Sequence, residues 1–203
     1  MIQVHHLAAS RSRRITWALE ELGQIYEVIN YDRDAVTHLA PAELKAVHPL
    51  GKAPILRDGA VTLIESGAII DYLIRTYGNG RLAPPIDTPD YNRYVQFLHY
   101  AEGSAMLPLL LRLYVSRLGD AGKPLHPRIA SEMDNHLGWL NSELAGREYF
   151  VGKDLTGADI NLSFVAQMAL RYAGRDTYPN LTAFVDRIEA RPAYLRAMER
   201  SGA

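Results

Sequence analysis

HPLGKAPILRDGAVTLIESGAIIDYL, residues 48–73, is the stretch that decides the fold. IL (55–56) and VTLIE (61–65) read as two strands, and the RDGA between them holds Asp-Gly, a strong hairpin signal. SGAIIDYLIRTYG then changes to helical spacing, with Ile69, Ile70, Leu73, Ile74 and Tyr77 at i, i+1, i+4, i+5 and i+8. Pro54 stands at the first apolar step of the first strand. A proline gives no N–H to a ladder, so it belongs at strand starts, bulges or edge strands. The expectation is an edge strand that starts at Pro54 and leaves the preceding backbone to another partner. A trans proline that merely opens an edge strand is the competing reading.

Working outward toward the N-terminus, IQVHHL (2–7) is a short β-like segment followed by the polar cluster AASRSRR. ITWALEELG places Ile15, Trp17, Ala18, Leu19 and Leu22 with helical recurrence, and Gly23 can stop that helix. YEVINYD (26–32) alternates as a second strand. A polar stretch with Pro41 and one helical turn, ELKAV, leads back to residue 48. The order βαβ, crossover, ββα predicts a small α/β domain with a mixed sheet.

On the other side, GNGRLAPPIDTPD (78–90) is rich in glycine and proline and reads as a linker. From Tyr91 onward no strand is expected. A long helical pattern runs through Pro108, where a kink is predicted. Residues 127–145 and 158–173 are two further helices, and a pause at Pro192 separates the last two. The predicted division is 1–80 for the α/β domain, 81–90 for the linker and 91–203 for an all-α bundle.

The chain has 203 residues, 48% of them hydrophobic and 22% charged, which is ordinary globular composition. A net charge of −1 provides no field toward nucleic acid or membrane. No apolar run approaches the ~20 residues of a membrane span, and no signal peptide is expected from MIQVHHLAAS. There is no cysteine, which excludes disulfides, thiolate metal sites and a protein-borne thiol nucleophile. The composition is compatible with a cytoplasmic protein. Seven histidines without paired ligand spacing make no case for a metal.

Two segments hold candidate chemistry. In ESGA (65–68), Ser66 sits where a strand meets a helix and reads as its N-cap. The same geometry holds an anion on helix N-terminal N–H groups, while Glu65 beside it can take an ammonium. Together they suit an α-amino acid head. In LTGADI (155–160), Thr156 and Asp159 fit a capping box ahead of an apolar helix, and the structural reading prevails.

SRSRRITWALEEL (10–22), HPLGKAPIL (48–56), LIESGAIIDYL (63–73), HYAEGS (99–104) and LTGADI (155–160), in this order and spacing, resemble the cytosolic glutathione transferases over nearly the whole chain. The likeness is greatest to a bacterial and fungal type with a serine-containing loop before its first helix. It implies a thioredoxin-like domain followed by a helical bundle, glutathione as co-substrate with no further cofactor, and a cytoplasmic homodimer that acts in detoxification.

The resemblance also implies residue roles. Pro54 would be cis, with the backbone of Ala53 pairing the cysteinyl part of glutathione, a one-residue strand addition. Glu65 and Ser66 would anchor the γ-glutamyl head. Lys52 and His38 would meet the glycyl carboxylate, although a surface lysine is as readily a solvated charge. A thiol titrates near ~8.5, and lowering that by two units takes about 2.7 kcal/mol. A helix N-terminus, a hydroxyl and a cation are suitable sources, and AASRSRR supplies all three. Ser10 is the first choice as donor to the sulfur, Ser12 is expected to cap the helix, and Arg11 to add positive charge. Tyr26 and Tyr31, on the second strand, are poorer donors. A second-substrate pocket would involve His99, Tyr100, Glu102, Met106 and Tyr114, for which bundle core is an equal reading. The expected reaction is conjugation to a hydrophobic electrophile or reduction of a peroxide. A glutathione-dependent disulfide reductase and a non-catalytic interaction module are the alternatives.

Overall fold

Residues 1–202 are described in a computed structural model. The chain divides into two compact units. Met1–Leu82 and the described residues from Glu189 onward form one, and Ala83–Ile188 form the other.

The first unit is built on a four-stranded sheet of β1 (Ile2–Leu7), β2 (Tyr26–Tyr31), β3 (Ile55–Asp58) and β4 (Val61–Leu63) in the order β2-β1-β3-β4. β1 pairs β2 in parallel and β3 antiparallel, with His5 opposite both Ile29 and Ile55. β3 and β4 form a hairpin in which Gly59 takes the positive φ, 57°, that the turn requires. The helices of this unit are α1 (Arg13–Leu22), the short α2 (Glu43–Val47) and α3 (Ser66–Tyr77). α1 buries Ile15, Trp17, Ala18, Leu19 and Leu22, and α3 buries Ile69, Ile70, Leu73 and Ile74. Apolar residues three and four apart share one helix face, and here those faces join Ile2, Val4, Leu7, Ile55 and Leu56 of the sheet in one core.

The βαβ-ββα order and the mixed sheet match the sequence expectation. The expected edge position of β3 does not, because the edges are β2 and β4 and β3 lies inside. Pro54 precedes the first paired residue, Ile55, so the ladder loses no donor and an interior strand tolerates it.

The second unit contains α4 (Pro89–Tyr100), α5 (Met106–Val115), α6 (His126–Glu143), α7 (Gly157–Ala173) and most of α8 (Pro179–Glu189). α7 is its buried centre: Ile160, Leu162, Val165 and Ala169 have essentially no exposure. The Asn161 amide donates to Leu98 O at 2.8 Å, fixing α7 against α4. Phe97 stacks on Trp139 and meets Phe150, and Phe150 meets Phe184 edge-on, so aromatic contacts link α4, α6 and α8. The kink predicted at Pro108 is displaced. Pro108 lies in the first turn of α5, and the irregularity precedes it as a π-helical turn, Ala101–Ala105, in which the Met106 N–H reaches back to Ala101 O. A proline cannot donate to the carbonyl four residues earlier, and the widened turn accommodates its ring.

α9 (Pro192–Arg200) packs on α1 and belongs to the first unit, so the compact units differ from the consecutive division 1–80 and 91–203. Tyr194 meets Trp17 edge-on at 5.3 Å between ring centroids. Arg191 clasps Glu21 through two bonds of 2.6 and 2.9 Å, while Arg196 and Arg200 both reach Glu20. These arginines lie in EARPAYLRAMER, and their acidic partners in α1 are 170 or more positions away.

Candidate functional site

Strand directions alone gather the candidate residues of the first unit. β1 and β2 are parallel, so the loops after Leu7 and after Tyr31 leave the sheet at the same end. β3 runs against β1, so its start at Ile55, preceded by Ala53 and Pro54, lies at that end too. β4 runs against β3 and therefore finishes there, leading into Glu65 and Ser66. Ser10–Ser12, Ala53–Pro54, Glu65–Ser66 and the 32–40 loop with His38 thus share one end of the sheet. Ligands of open α/β sheets bind beyond strand ends where connections diverge.

At the β1–α1 loop, Ser10 Oγ lies 2.6 Å from Ser12 Oγ, and Ser12 Oγ lies 2.9 Å from His6 Nδ1. The Ser12 hydroxyl makes no cap bond to the helix, contrary to the expectation. Its backbone is already helical at φ −61°, ψ −20°, whereas a capping residue is typically extended so that its oxygen faces the next N–H groups. The hydroxyl joins Ser10 and His6 instead. His6 is buried, and burial, assisted by the charge of Arg13, holds its imidazole down to about 4. It is therefore neutral at pH 7. Arg11 is half-buried in the turn before α1. Ala9, next to Ser10, adopts a positive φ of 50°.

Arg33 fastens this loop, donating to Ala8 O at 2.8 Å and to Ala9 O at 3.4 Å. The same guanidinium donates to His38 O at 3.0 Å, tying the 32–40 loop to the serine loop. Sequence reasoning missed Arg33 and His6. Arg33 sits in a run of loop charges, and His6 in an ordinary-looking strand, so neither carries a local signal.

The Ala53–Pro54 bond is cis, as the resemblance implied. Pro54 is buried, Ala53 half-buried and Lys52 exposed. His38 is exposed, with a φ of 57°. The residue at the N-cap of α3 is Glu65, not Ser66. Glu65 O accepts the first intrahelical bond, from the Ile69 N–H at 2.9 Å, and its backbone is at φ 69°, ψ 116°. Ser66 is the first helical residue and is 2% exposed. The first-turn N–H groups that follow Glu65 have no partner within the helix, an arrangement that suits an anion.

The five residues proposed for a second substrate all lie in the second unit and differ widely in exposure. Met106 is buried in the bundle core, whereas Tyr114 is 57% exposed and His99 is exposed. Glu102 is half-buried on the π turn. Tyr100 lines a cavity of about 350 Å³ with Gln96, Asn135, His136 and Trp139. Its hydroxyl lies 2.5 Å from His136 Nδ1, and burial pushes its phenol up to about 12.

LTGADI is structural, as expected. Asp159 has no exposure; its carboxylate accepts from the Phe150 N–H at 2.8 Å and from the Thr156 N–H and hydroxyl at 2.7 and 2.6 Å. Burial pushes the carboxyl up to about 6 against these three donors.

Residues 4–81 match the glutathione S-transferase N-terminal domain, and residues 104–192 match the glutathione S-transferase C-terminal domain. A solved glutathione S-transferase from Actinobacillus pleuropneumoniae is 40% identical, with a TM-score of 0.92 over all of this chain and 94% of that one. Glutathione S-transferase 3 of Schizosaccharomyces pombe is 34% identical over 98% of this chain and 88% of its own length. A sphingomonad glutathione S-transferase, solved in complex with glutathione, is 28% identical with a TM-score of 0.79, covering 98% of each chain. Domain matches in both halves and a relative this similar over nearly full length leave one assignment: the chain belongs to the glutathione S-transferase family.

Proposed function

We propose that this protein is a glutathione transferase that binds glutathione at the strand-end site of its first unit and holds its thiol as thiolate. The observation that carries the reading is the convergence there of a buried serine hydroxyl, the Ala53–Pro54 turn and the Glu65–Ser66 helix start. The γ-glutamyl carboxylate meets the first-turn N–H groups of α3 and the Ser66 hydroxyl, and its ammonium meets Glu65. The cysteinyl N–H and C=O pair with Ala53, which places the sulfur toward Ser10. Lys52 and His38 reach for the glycyl carboxylate. The thiol proton leaves to solvent, Ser10 donates to the resulting thiolate, and the sulfur attacks an electrophilic carbon with loss of its leaving group, or a peroxide oxygen. In the peroxide case the O–O bond breaks to give glutathione sulfenic acid and water or alcohol, after which a second glutathione thiol converts the sulfenic acid to glutathione disulfide and water. The chain has no cysteine, so no covalent sulfur intermediate forms on the protein.

Family membership supports a homodimer as the working form, which light scattering at twice the chain mass tests. For the function itself, calorimetry with glutathione and turnover of an activated aryl halide are the direct measurements. The reading expects binding and turnover in the wild type, with affinity lost in Glu65→Gln and Ser66→Ala. Binding without turnover of aryl halides, peroxides or glutathione disulfides would make the protein an interaction module. Absence of binding would end the reading.

A further inference from the structure

In the hydrogen-bonded series Ser10–Ser12–His6, Ser10 is the most exposed member. Ser10 keeps 7% of its surface open, Ser12 none and His6 2%. Ser10 is therefore the outer member, and the imidazole closes the inner end.

Two hydroxyls ending on one imidazole nitrogen have two hydrogen-bond directions. With Nδ1 bare, Ser12 donates to His6, Ser10 donates to Ser12, and the single hydrogen of Ser10 points inward. With Nδ1 protonated, His6 donates to Ser12 and Ser12 donates to Ser10. The hydrogen of Ser10 then remains for an acceptor outside. The Ser12 N–H also lies 3.3 Å from Ser10 Oγ, as a weaker second donor to that oxygen. In the second direction both lone pairs of Ser10 are occupied from within, and its hydrogen has nowhere to go but outward.

A thiolate accepts hydrogen bonds and has none to give. Only the second direction meets it. We propose that His6, in its neutral form with the hydrogen on Nδ1, acts through Ser12 to turn the Ser10 hydroxyl hydrogen toward the glutathione sulfur. This rests on the glutathione reading above. His6 touches neither substrate nor sulfur, so it is a positioning residue. No proton is transferred along the chain and the imidazole gains no charge, in keeping with a group that burial keeps neutral. The tautomer is the variable. It links a histidine inside β1 to the hydroxyl at the mouth of the site, across bonds of 2.9 and 2.6 Å.

The test is the nitrogen-15 spectrum of histidine-labelled full-length wild type, saturated with glutathione near neutral pH, where the two neutral tautomers have distinct ring-nitrogen shifts. The expected result is His6 with hydrogen on Nδ1. Hydrogen on Nε2 alone, in a protein that binds glutathione and lowers its thiol pKa, overturns this proposal and leaves the transferase reading standing. A wild type that does not bind glutathione overturns both. Variants supply a second readout. His6→Phe keeps a ring but no donor, whereas the His6→Asn amide sets an N–H near the position of Nδ1. Bound thiol pKa should rise by about one unit in His6→Phe, roughly tenfold less thiolate at a fixed pH below it, and return toward wild type in His6→Asn. A folded His6→Phe with unchanged thiol pKa shows His6 to be core filler and overturns the proposal. If His6→Phe does not fold, the wild-type tautomer decides alone.

Discussion

Glu65 shows how the site departs from ordinary backbone preference. Its φ of 69° is unfavourable for a residue with a side chain, at a cost of about 1–3 kcal/mol. A merely structural N-cap would be better served by glycine, so a carboxylate at this φ fits the ligand role proposed for Glu65. Glu65→Gly is expected to raise stability by about 1 kcal/mol in denaturant unfolding while lowering glutathione affinity at least ~10-fold. Glu65→Ala should lose the same affinity without the gain in stability. His6 gives a second residue-scale expectation. Its folded value is about 4, against an ordinary 6.5, so between these pH values the unfolded chain binds more protons. Its contribution is complete above pH 6.5 and is lost as pH falls toward 4. Asp159, raised to about 6 from 3.8, acts in the opposite sense: the folded state takes its proton first on acidification. The informative quantity is therefore the difference between proteins. Denaturant midpoints measured from pH 7 to pH 4 should fall more steeply in wild type than in His6→Asn.

At the scale of elements, period and turn chemistry made the sheet unit legible. β1 was read at its observed limits, and the Asp-Gly hairpin and the apolar faces of α1 and α3 were read correctly. The serine loop was legible as a site but not in its wiring. Ser12 precedes a helix and so invites the capping reading, but its helical backbone turns the hydroxyl aside, toward a histidine six residues earlier. No local rule finds that contact, because it depends on how β1 and α1 pack. The π turn before α5 was invisible for a related reason: Pro108 announces a lost hydrogen bond but not which neighbouring turn absorbs it. At the start of α7 the capping reading held and understated the result. Asp159 also anchors the Phe150 N–H, beyond the helix it begins. Asp159→Ala leaves three buried donors without an acceptor, so it should cost about 3 kcal/mol or more. Unfolding midpoints at constant slope would measure it, and a wild-type midpoint would contradict it.

Across the whole molecule, chain order and spatial order part company at the C-terminus. α9 belongs with the sheet unit because Tyr194 covers Trp17 and three arginines meet Glu20 and Glu21. Its partners are distant in sequence, so amphipathic spacing revealed the helix and not its location. Deleting residues 192–203 partly bares Trp17, a loss of roughly 2–3 kcal/mol. For a chain of this size that lowers the melting midpoint by about 4–12 °C; an unchanged midpoint would show α9 to be dispensable. The fold and the family were legible because five motifs keep their order along the chain. The second-substrate residues were not, since helical spacing alone does not separate core from pocket: Met106 is core and Tyr114 is exposed. The central claim is that the strand-end site ionises glutathione through Ser10. It is tested most directly by the ultraviolet thiolate absorbance of bound glutathione, titrated with pH in wild type and Ser10→Ala. The account predicts a bound thiol pKa about two units below the free value of ~8.5 in wild type, largely restored toward it in the variant. Glutathione that binds with an unshifted thiol pKa in wild type, or a shift that survives loss of the hydroxyl, would contradict it.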